Sequence, residues 1–469
     1  MKVVNLFSLL GTTDKIIASM PLTFWDARQI STDSREIKPD QAFLAIKGEN
    51  FNGIDFYKEV INKGIKLLII NSSDLSRVEA VPFVTMIAVE DTIKFYGKLA
   101  NAVRKNFEGK VIALTGSVGK SSTKTLLELF LSNHYKINAT FRNFNNQIGL
   151  PKTILNLKGD EELMILELGT NSKGEIEYLT KICEPDFTVL TNIGKSHIGN
   201  FENFEGLAEE KLSILKFSNS QHFLNLDDPV ACANIKSFRQ ECITYSAIPG
   251  KIADIGVKAA VLNEEGKEIL KINILEKEFD LNYTFRGPGF RNTLMAAISV
   301  ASQFKVKPED LAIAVNKFEN LPMRMEKKKL KNGQLVLLDC YNASLDSMIN
   351  ALETLKALAK GTKTMAVLGD MLELGRFSEE LHREVGRNIA RLKIDYVFTY
   401  GEASEVIVRY LKASEFFGNS SDLEHFKEES LLEKKLEKRF KEADFILFKG
   451  SRRMAMERFY FKLAEGMEV

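Results

Sequence analysis

The four cysteines, Cys183, Cys232, Cys242 and Cys340, are scattered and never form a C-x-x-C pair. That usage fits a reduced cytosol and excludes a zinc site built on paired thiolates. An excess of charge of one sign is also lacking. The 64 Lys and Arg nearly balance 63 Asp and Glu, so no net field draws the chain to nucleic acid or to an anionic membrane surface. Recognition of phosphate therefore has to be local. No segment approaches the ~18 consecutive apolar residues of a membrane span, and residues 1–10 are too short and interrupted for the apolar region of an export signal. A soluble, cytoplasmic protein is the expectation. There is no internal repeat and no low-complexity tract.

At 469 residues the chain exceeds one ordinary core, and ~150 residues per domain gives three. The text is α/β throughout. Residues 1–105 read as a small α/β domain with apolar runs Ala42-Phe43-Leu44-Ala45-Ile46 and Leu67-Leu68-Ile69-Ile70. Residues 106–320 alternate strand and helix, as a mostly parallel, covered sheet requires. Residues 320–335 turn basic and irregular and mark a boundary. Residues 321–469 read as a Rossmann-like α/β domain without a G-x-G-x-x-G of its own.

The apolar run Val111-Ile112-Ala113-Leu114 passes into Thr115-Gly116-Ser117-Val118-Gly119-Lys120-Ser121-Ser122 and then into a helical pattern. Strand, glycine-containing loop and helix in that order present backbone N–H groups and a helix N-terminus to a phosphate chain. Lys120 supplies a point charge, and Ser121 can place a hydroxyl on Mg²⁺. A full Walker A motif needs glycine at 114, where this chain has leucine, so only the T-G-x-x-G-K-S core is present. ATP or another nucleoside triphosphate is the expected ligand.

Two further strands, Leu163-Met164-Ile165-Leu166 and Phe187-Thr188-Val189-Leu190, end in Glu167 and in Thr191-Asn192-Ile193-Gly194-Lys195-Ser196-His197. Ligands of open α/β sheets gather at such carboxyl ends, so Glu167 and His197 are expected to converge above Lys120. A carboxylate there suits Mg²⁺, whose other positions go to phosphate, hydroxyl and water. Lys211, on the helical run 205–215, is an odd cation to place beside a metal and phosphates. Near the amino terminus, Ser31-Thr32-Asp33-Ser34-Arg35 and Gly48-Glu49-Asn50-Phe51-Asn52-Gly53 cluster polar groups with an arginine, as a diphosphate or sugar ligand would want; an ordinary capped turn gives the same text.

These motifs, with Asn143-Phe144-Asn145-Asn146-Gln147-Ile148-Gly149, Asp339-Cys340-Tyr341-Asn342-Ala343, Leu368-Gly369-Asp370-Met371-Leu372-Glu373-Leu374-Gly375 and Lys449-Gly450-Ser451-Arg452, make the chain similar to the Mur ligases over nearly its whole length. The asparagine-rich and G-D-M-x-E-L-G stretches resemble the branch that adds D-alanyl-D-alanine to UDP-N-acetylmuramoyl-tripeptide, with lysine or diaminopimelate as third residue. The resemblance implies a three-domain, monomeric, ATP- and Mg²⁺-dependent amide ligase of cell-wall synthesis. It implies that Lys120 and the loop from Gly116 through Ser117, Val118 and Gly119 to Ser121 and Ser122 hold phosphates, with Asn292, Arg324 and Asp339 at the rest of the nucleotide. It gives Ser121 and Glu167 to one Mg²⁺ and His197 to a second. Lys211 would be carbamylated and join the metal ligands, and Lys120, His197 and Lys211 would form the catalytic set. Ser34, Arg35, Asn145 and Asn146 would bind the UDP-sugar substrate. Arg291 stands where histidine is usual, and Ala343-Ser344-Leu345 replaces A-N-P. A folylpolyglutamate synthase of the same superfamily, or a nucleotide-dependent switch that makes no bond, would share the loop.

Overall fold

Apolar runs separated by polar turns build the first sheet. Its strands are β1 (Lys15–Ile17), β2 (Ile30–Ser31), β3 (Ala42–Leu44), β4 (Leu67–Asn71) and β5 (Thr85–Val89), in the order β1-β5-β4-β3-β2. All pairs are parallel except β1 with β5. β4 and β5 are covered on both faces, so they are written as unbroken apolar runs rather than in alternation. The computed structural model describes residues 2–17, 24–48, 51–237, 242–414 and 422–464. Glu49 and Asn50 of the second amino-terminal polar patch therefore lie outside the described residues.

The central sheet has nine strands: β6 (Lys110–Thr115), β7 (Ile137–Ala139), β8 (Leu163–Glu167), β9 (Phe187–Leu190), β10 (Gln221–Asn225), β11 (Cys242–Ser246), β12 (Ile255–Leu262), β13 (Lys267–Ile274) and β14 (Lys277–Thr284). Their order is β14-β13-β12-β11-β10-β9-β6-β8-β7. The chain leaves β6 toward β8 on one side and β9 on the other, so the strand order reverses at β6. The crevice at its carboxyl end is where such sheets bind ligands.

One expectation fails here. Strand–helix alternation does not run to residue 320, because β12, β13 and β14 form an antiparallel ribbon. The β13–β14 turn is two residues, Leu275 at φ 45° and Glu276 at φ 72°, the left-handed pair of a tight hairpin without its usual Asn-Gly signature.

The helix Thr92–Lys105 begins on Asp91, whose carboxylate accepts the amides of Ile93 and Lys94. It buries Phe95, Leu99 and Val103 in one cluster with Leu44 and Ile69 of the first sheet and Val111 and Leu166 of the second. The first two sheets thus share a core.

The third sheet comprises β15 (Glu326–Lys329), β16 (Leu335–Asp339), β17 (Thr364–Gly369), β18 (Tyr396–Tyr400), β19 (Leu423–Phe426) and β20 (Phe445–Lys449), ordered β15-β16-β20-β17-β18-β19. Only β15 is antiparallel. The stretch expected to be irregular is in part this edge strand, and its lysines are residues an edge tolerates. Ile198, in a short turn after β9, and Leu207, on the helix Phe204–Lys216, lie in the core of the third sheet, beside Leu374 and Met348. Among the described residues no helix is long and apolar enough to cross a membrane.

Candidate active site

β6 ends at Thr115, and the helix Lys120–Leu131 begins after Gly119, which sits at φ 87°. At Gly116, φ 147°, a Cβ would lie 2.0 Å from Thr191 Oγ1, so the approach of the two loops requires glycine. The Thr191-Asn192-Ile193-Gly194 segment holds the loop. Asn192 Oδ1 accepts the amides of Ser117 (3.2 Å) and Val118 (3.0 Å), and the Ser117 hydroxyl exchanges hydrogen bonds with Gly194. Among the described residues, the amides of Gly119, Lys120, Ser121 and Ser122 find no protein acceptor. These are the free donors of a helix N-terminus, available to an anion.

Glu167, at the end of β8, is buried. One carboxylate oxygen accepts the Ser121 hydroxyl (2.8 Å) and the other the Asn145 side-chain amide (2.9 Å). Lys120 donates to Gly116 O (2.7 Å), and burial and Arg324 lower its pKa against the pull of Glu167. Lys211, on the helix Phe204–Lys216, is 2 % exposed, which rules out a surface lysine. Among the described residues its amine has no hydrogen bond or ion pair. Burial, then the nearby Lys120, push its pKa down to about 7, with Glu210 opposing. Glu210 itself caps the helix Glu175–Cys183 through the amides of Gly174 (2.6 Å) and Ile176 (2.7 Å). His197 stands at φ 61° with Nδ1 2.6 Å from Glu373 of the third sheet. Its pKa is lowered by burial and by Lys120 and Lys211, although Glu373 pulls the other way.

Lys120, Ser121, Glu167, His197 and Lys211 line a cavity of about 420 Å³ between the central and third sheets. Arg324 and Asp339 form its far wall. Arg324 lies over the Tyr341 ring at 4.1 Å, and Asp339 accepts Met325 N and the buried Lys449 ammonium. Asn145 and Asn146 also reach the cavity, but their side chains are already at work. Asn145 orients Glu167, and Asn146 caps the helix Gly149–Leu155 through the amides of Ile148 and Gly149. Asn292, in the second turn of the helix Pro288–Ala301, lies next to the cavity residue Thr293 but does not itself line the cavity, and its buried Oδ1 has no partner among the described residues. Ser34 and Arg35 are not brought in. Arg35 pairs with Asp33 at 2.6 Å on an exposed turn.

Sequence reading missed Arg286 and Lys449 as wall residues. Arg286 stacks on Phe290 and Phe318, just before the Gly-Pro helix start that could have flagged it. Lys449 stood in a landmark motif with no role attached. Arg291 is accounted for here, since it pairs at 2.8 Å with Glu268, a buried carboxylate that also accepts the Tyr283 hydroxyl.

The donors suit Mg²⁺ and a nucleoside triphosphate. A hydroxyl and one hard carboxylate lie under free helix amides and a lysine, which leaves positions for phosphate oxygens and water.

The chain matches the Mur ligase family, catalytic domain over residues 26–104, the Mur ligase middle domain over 114–301, and the Mur ligase, glutamate ligase domain over 323–452. The UDP-N-acetylmuramoyl-tripeptide--D-alanyl-D-alanine ligase of Bacillus subtilis (strain 168) is 34 % identical over 93 % of this chain and 93 % of its own. Among solved structures, MurF from Acinetobacter baumannii superposes with a TM-score of 0.83 at 26 % identity, covering 93 % of each chain. MurF ligase from Thermotoga maritima in complex with ADP gives 0.81 at 28 %, over 94 % of this chain and 99 % of that one.

Proposed function

The chain belongs to the Mur ligase family, and on that premise we propose that it is an ATP-dependent, ADP-forming ligase joining D-alanyl-D-alanine to UDP-N-acetylmuramoyl-tripeptide in peptidoglycan precursor synthesis. The terminal carboxylate of the tripeptide attacks the γ-phosphorus of ATP, giving an acyl phosphate and ADP. The dipeptide amine then adds to the acyl carbon, and phosphate leaves.

The single observation that carries this reading is the Ser121–Glu167–Asn145 set beneath free helix amides, with an unpaired, buried Lys211 in the same cavity. The amides of residues 119–122 and Lys120 would hold the β- and γ-phosphates, and Lys120 offsets charge on the phosphoryl group in flight. Ser121 and Glu167 would hold one Mg²⁺, with His197 at a second. Bound Mg²⁺ neutralises phosphate charge and aligns the transfer. A lysine with pKa about 7 is about half free amine at neutral pH, the form that adds CO₂, and carbamylation would turn Lys211 from a repelling cation into a carboxylate-like ligand. Asn292, Arg324 and Asp339 would take the adenosine side. Residues 1–105 would take the UDP-sugar, 106–320 the ATP and 321–469 the dipeptide, and the docked third sheet keeps water from the acyl phosphate.

The test is mass spectrometry of products formed with ATP, Mg²⁺, D-alanyl-D-alanine and each of the lysine- and diaminopimelate-containing UDP-tripeptides. An amide product that depends on all three substrates is expected. ADP release independent of the dipeptide would leave a hydrolase or switch.

A further inference from the structure

The segment after β17 is pinned at nearly every residue. The Asp370 carboxylate accepts the amides of Glu402 (2.9 Å) and Ser404 (2.8 Å), Met371 N donates to His382 Nε2 (3.0 Å), and Leu372 N donates to Ser451 Oγ (2.8 Å). Met371 and Leu374 are buried. Glu373 between them is left projecting, with a left-handed φ of 62° that a non-glycine residue seldom adopts.

It projects onto a residue in the same condition. His197 has φ 61°, and the following Ile198 is buried in the third sheet's core, so both backbones are held in unfavourable conformations from either side of one contact. Gly199 N donates to Glu373 O at 2.9 Å. A Cβ on Gly199 would lie 2.6 Å from that oxygen and 2.5 Å from Gly375 N. A surface ion pair that contributed only a few tenths of a kcal/mol would not need two strained residues and a glycine to form.

The chemistry of the contact follows from who can donate. An ionised carboxylate only accepts, so the 2.6 Å bond places the proton on His197 Nδ1. A neutral imidazole has one N–H, and Nε2 is then the lone-pair nitrogen. In water the balance leans the other way. His197 lines the cavity, and its Glu373 partner comes from the opposite sheet.

We propose that Glu373 is a positioning residue that holds His197 in the Nδ1–H tautomer, with Nε2 unprotonated for the cavity, whenever the third sheet is docked. Closure and the readiness of the histidine are then one event. The inference rests on the ligase reading for what His197 does, but not for the contact itself.

The test is nitrogen NMR of full-length protein labelled at its five histidines, with His197 assigned by the signal lost in His197→Gln. Expected in the unsubstituted protein is a protonated Nδ1 and a bare Nε2. Glu373→Ala should shift His197 toward Nε2–H and lower kcat by ~10- to 100-fold, the usual effect of losing a partner behind a metal-binding histidine, with KM for ATP held. Glu373→Gln keeps an accepting oxygen and should restore the tautomer and most of kcat. Gly199→Ala forces the loops apart with both side chains intact and should reproduce Glu373→Ala. An Nε2–H tautomer in the unsubstituted protein, or one tautomer shared by all the variants that fold, overturns the proposal. The ligase reading is judged separately, by dipeptide-dependent ADP release from the unsubstituted protein.

Discussion

Lys211 is buried with no ion-pair partner among the described residues, in a wall shared with Lys120, and a cation left there would repel any divalent metal. Lys211→Ala should be nearly inactive and partly rescued by a short-chain carboxylate in the buffer. Wild-type turnover in that variant would rule out the carbamate. Lys120→Ala should lower kcat by at least ~10²-fold, as expected for one preorganised electrostatic contact, with a smaller change in ATP affinity. Stopped turnover and isothermal titration read the two separately. Lys120, Glu167, His197 and Lys211 could be placed from the sequence because each follows, or faces, the carboxyl end of a strand written as a continuous apolar run. Arg286 and Lys449 could not. Their charges are turned inward by stacking on Phe318 and by pairing with Asp339, contacts between residues far apart in the chain. Arg35 lies outside the cavity, and its role could not be read locally, since a capped turn and an anion site use the same residues.

At the scale of elements, the ribbon β12–β14 shows what the alternation of apolar residues conceals. Glu268 takes an inward position of β13, where pattern reading asks for an apolar side chain, and is tolerated because Arg291 and Tyr283 meet it. Arg291→Ala should therefore cost about 3 kcal/mol by stranding a buried charge, and Glu268→Gln in the same chain should recover most of it, as a denaturant double-mutant cycle would show. The inner strands make a second, pH-linked prediction. His222 on β10 lies 2.7 Å from Thr188 Oγ1 of β9, and burial pushes its pKa down to about 4 from an ordinary 6.5. Between those values the unfolded chain binds a proton that the folded one refuses. Stability should fall as pH drops from 6.5 to about 4, by on the order of 3 kcal/mol, and be unaffected above that window. His222→Asn should flatten the slope in urea melts at pH 7 and pH 5. Strand runs and capped helices were legible locally, but the Leu275-Glu276 turn was not, because neighbouring strands rather than its own residues impose its left-handed backbone.

Across the whole molecule, three α/β units could be read from length and pattern, whereas their joinery could not. The helix Thr92–Lys105 serves two cores, and Ile198 and Leu207 of the central unit complete the third. A chain truncated after Leu321 loses Arg324, Asp339 and Glu373 together, so it should bind ATP more weakly and form no amide bond by mass spectrometry. Amide formation near the full-length rate would remove the third unit from the site. The seating of Ile198 and Leu207 in another unit's core also bears on temperature. Undocking must bring both side chains into water, so docking should carry a negative heat-capacity change, and calorimetric titration of any ligand that favours the docked form should show an enthalpy growing more exothermic as the solution warms. Because the pull between apolar groups weakens on cooling, the molecule should spend more time open in the cold, and chilled protein should lose turnover faster than the chemical barrier alone requires.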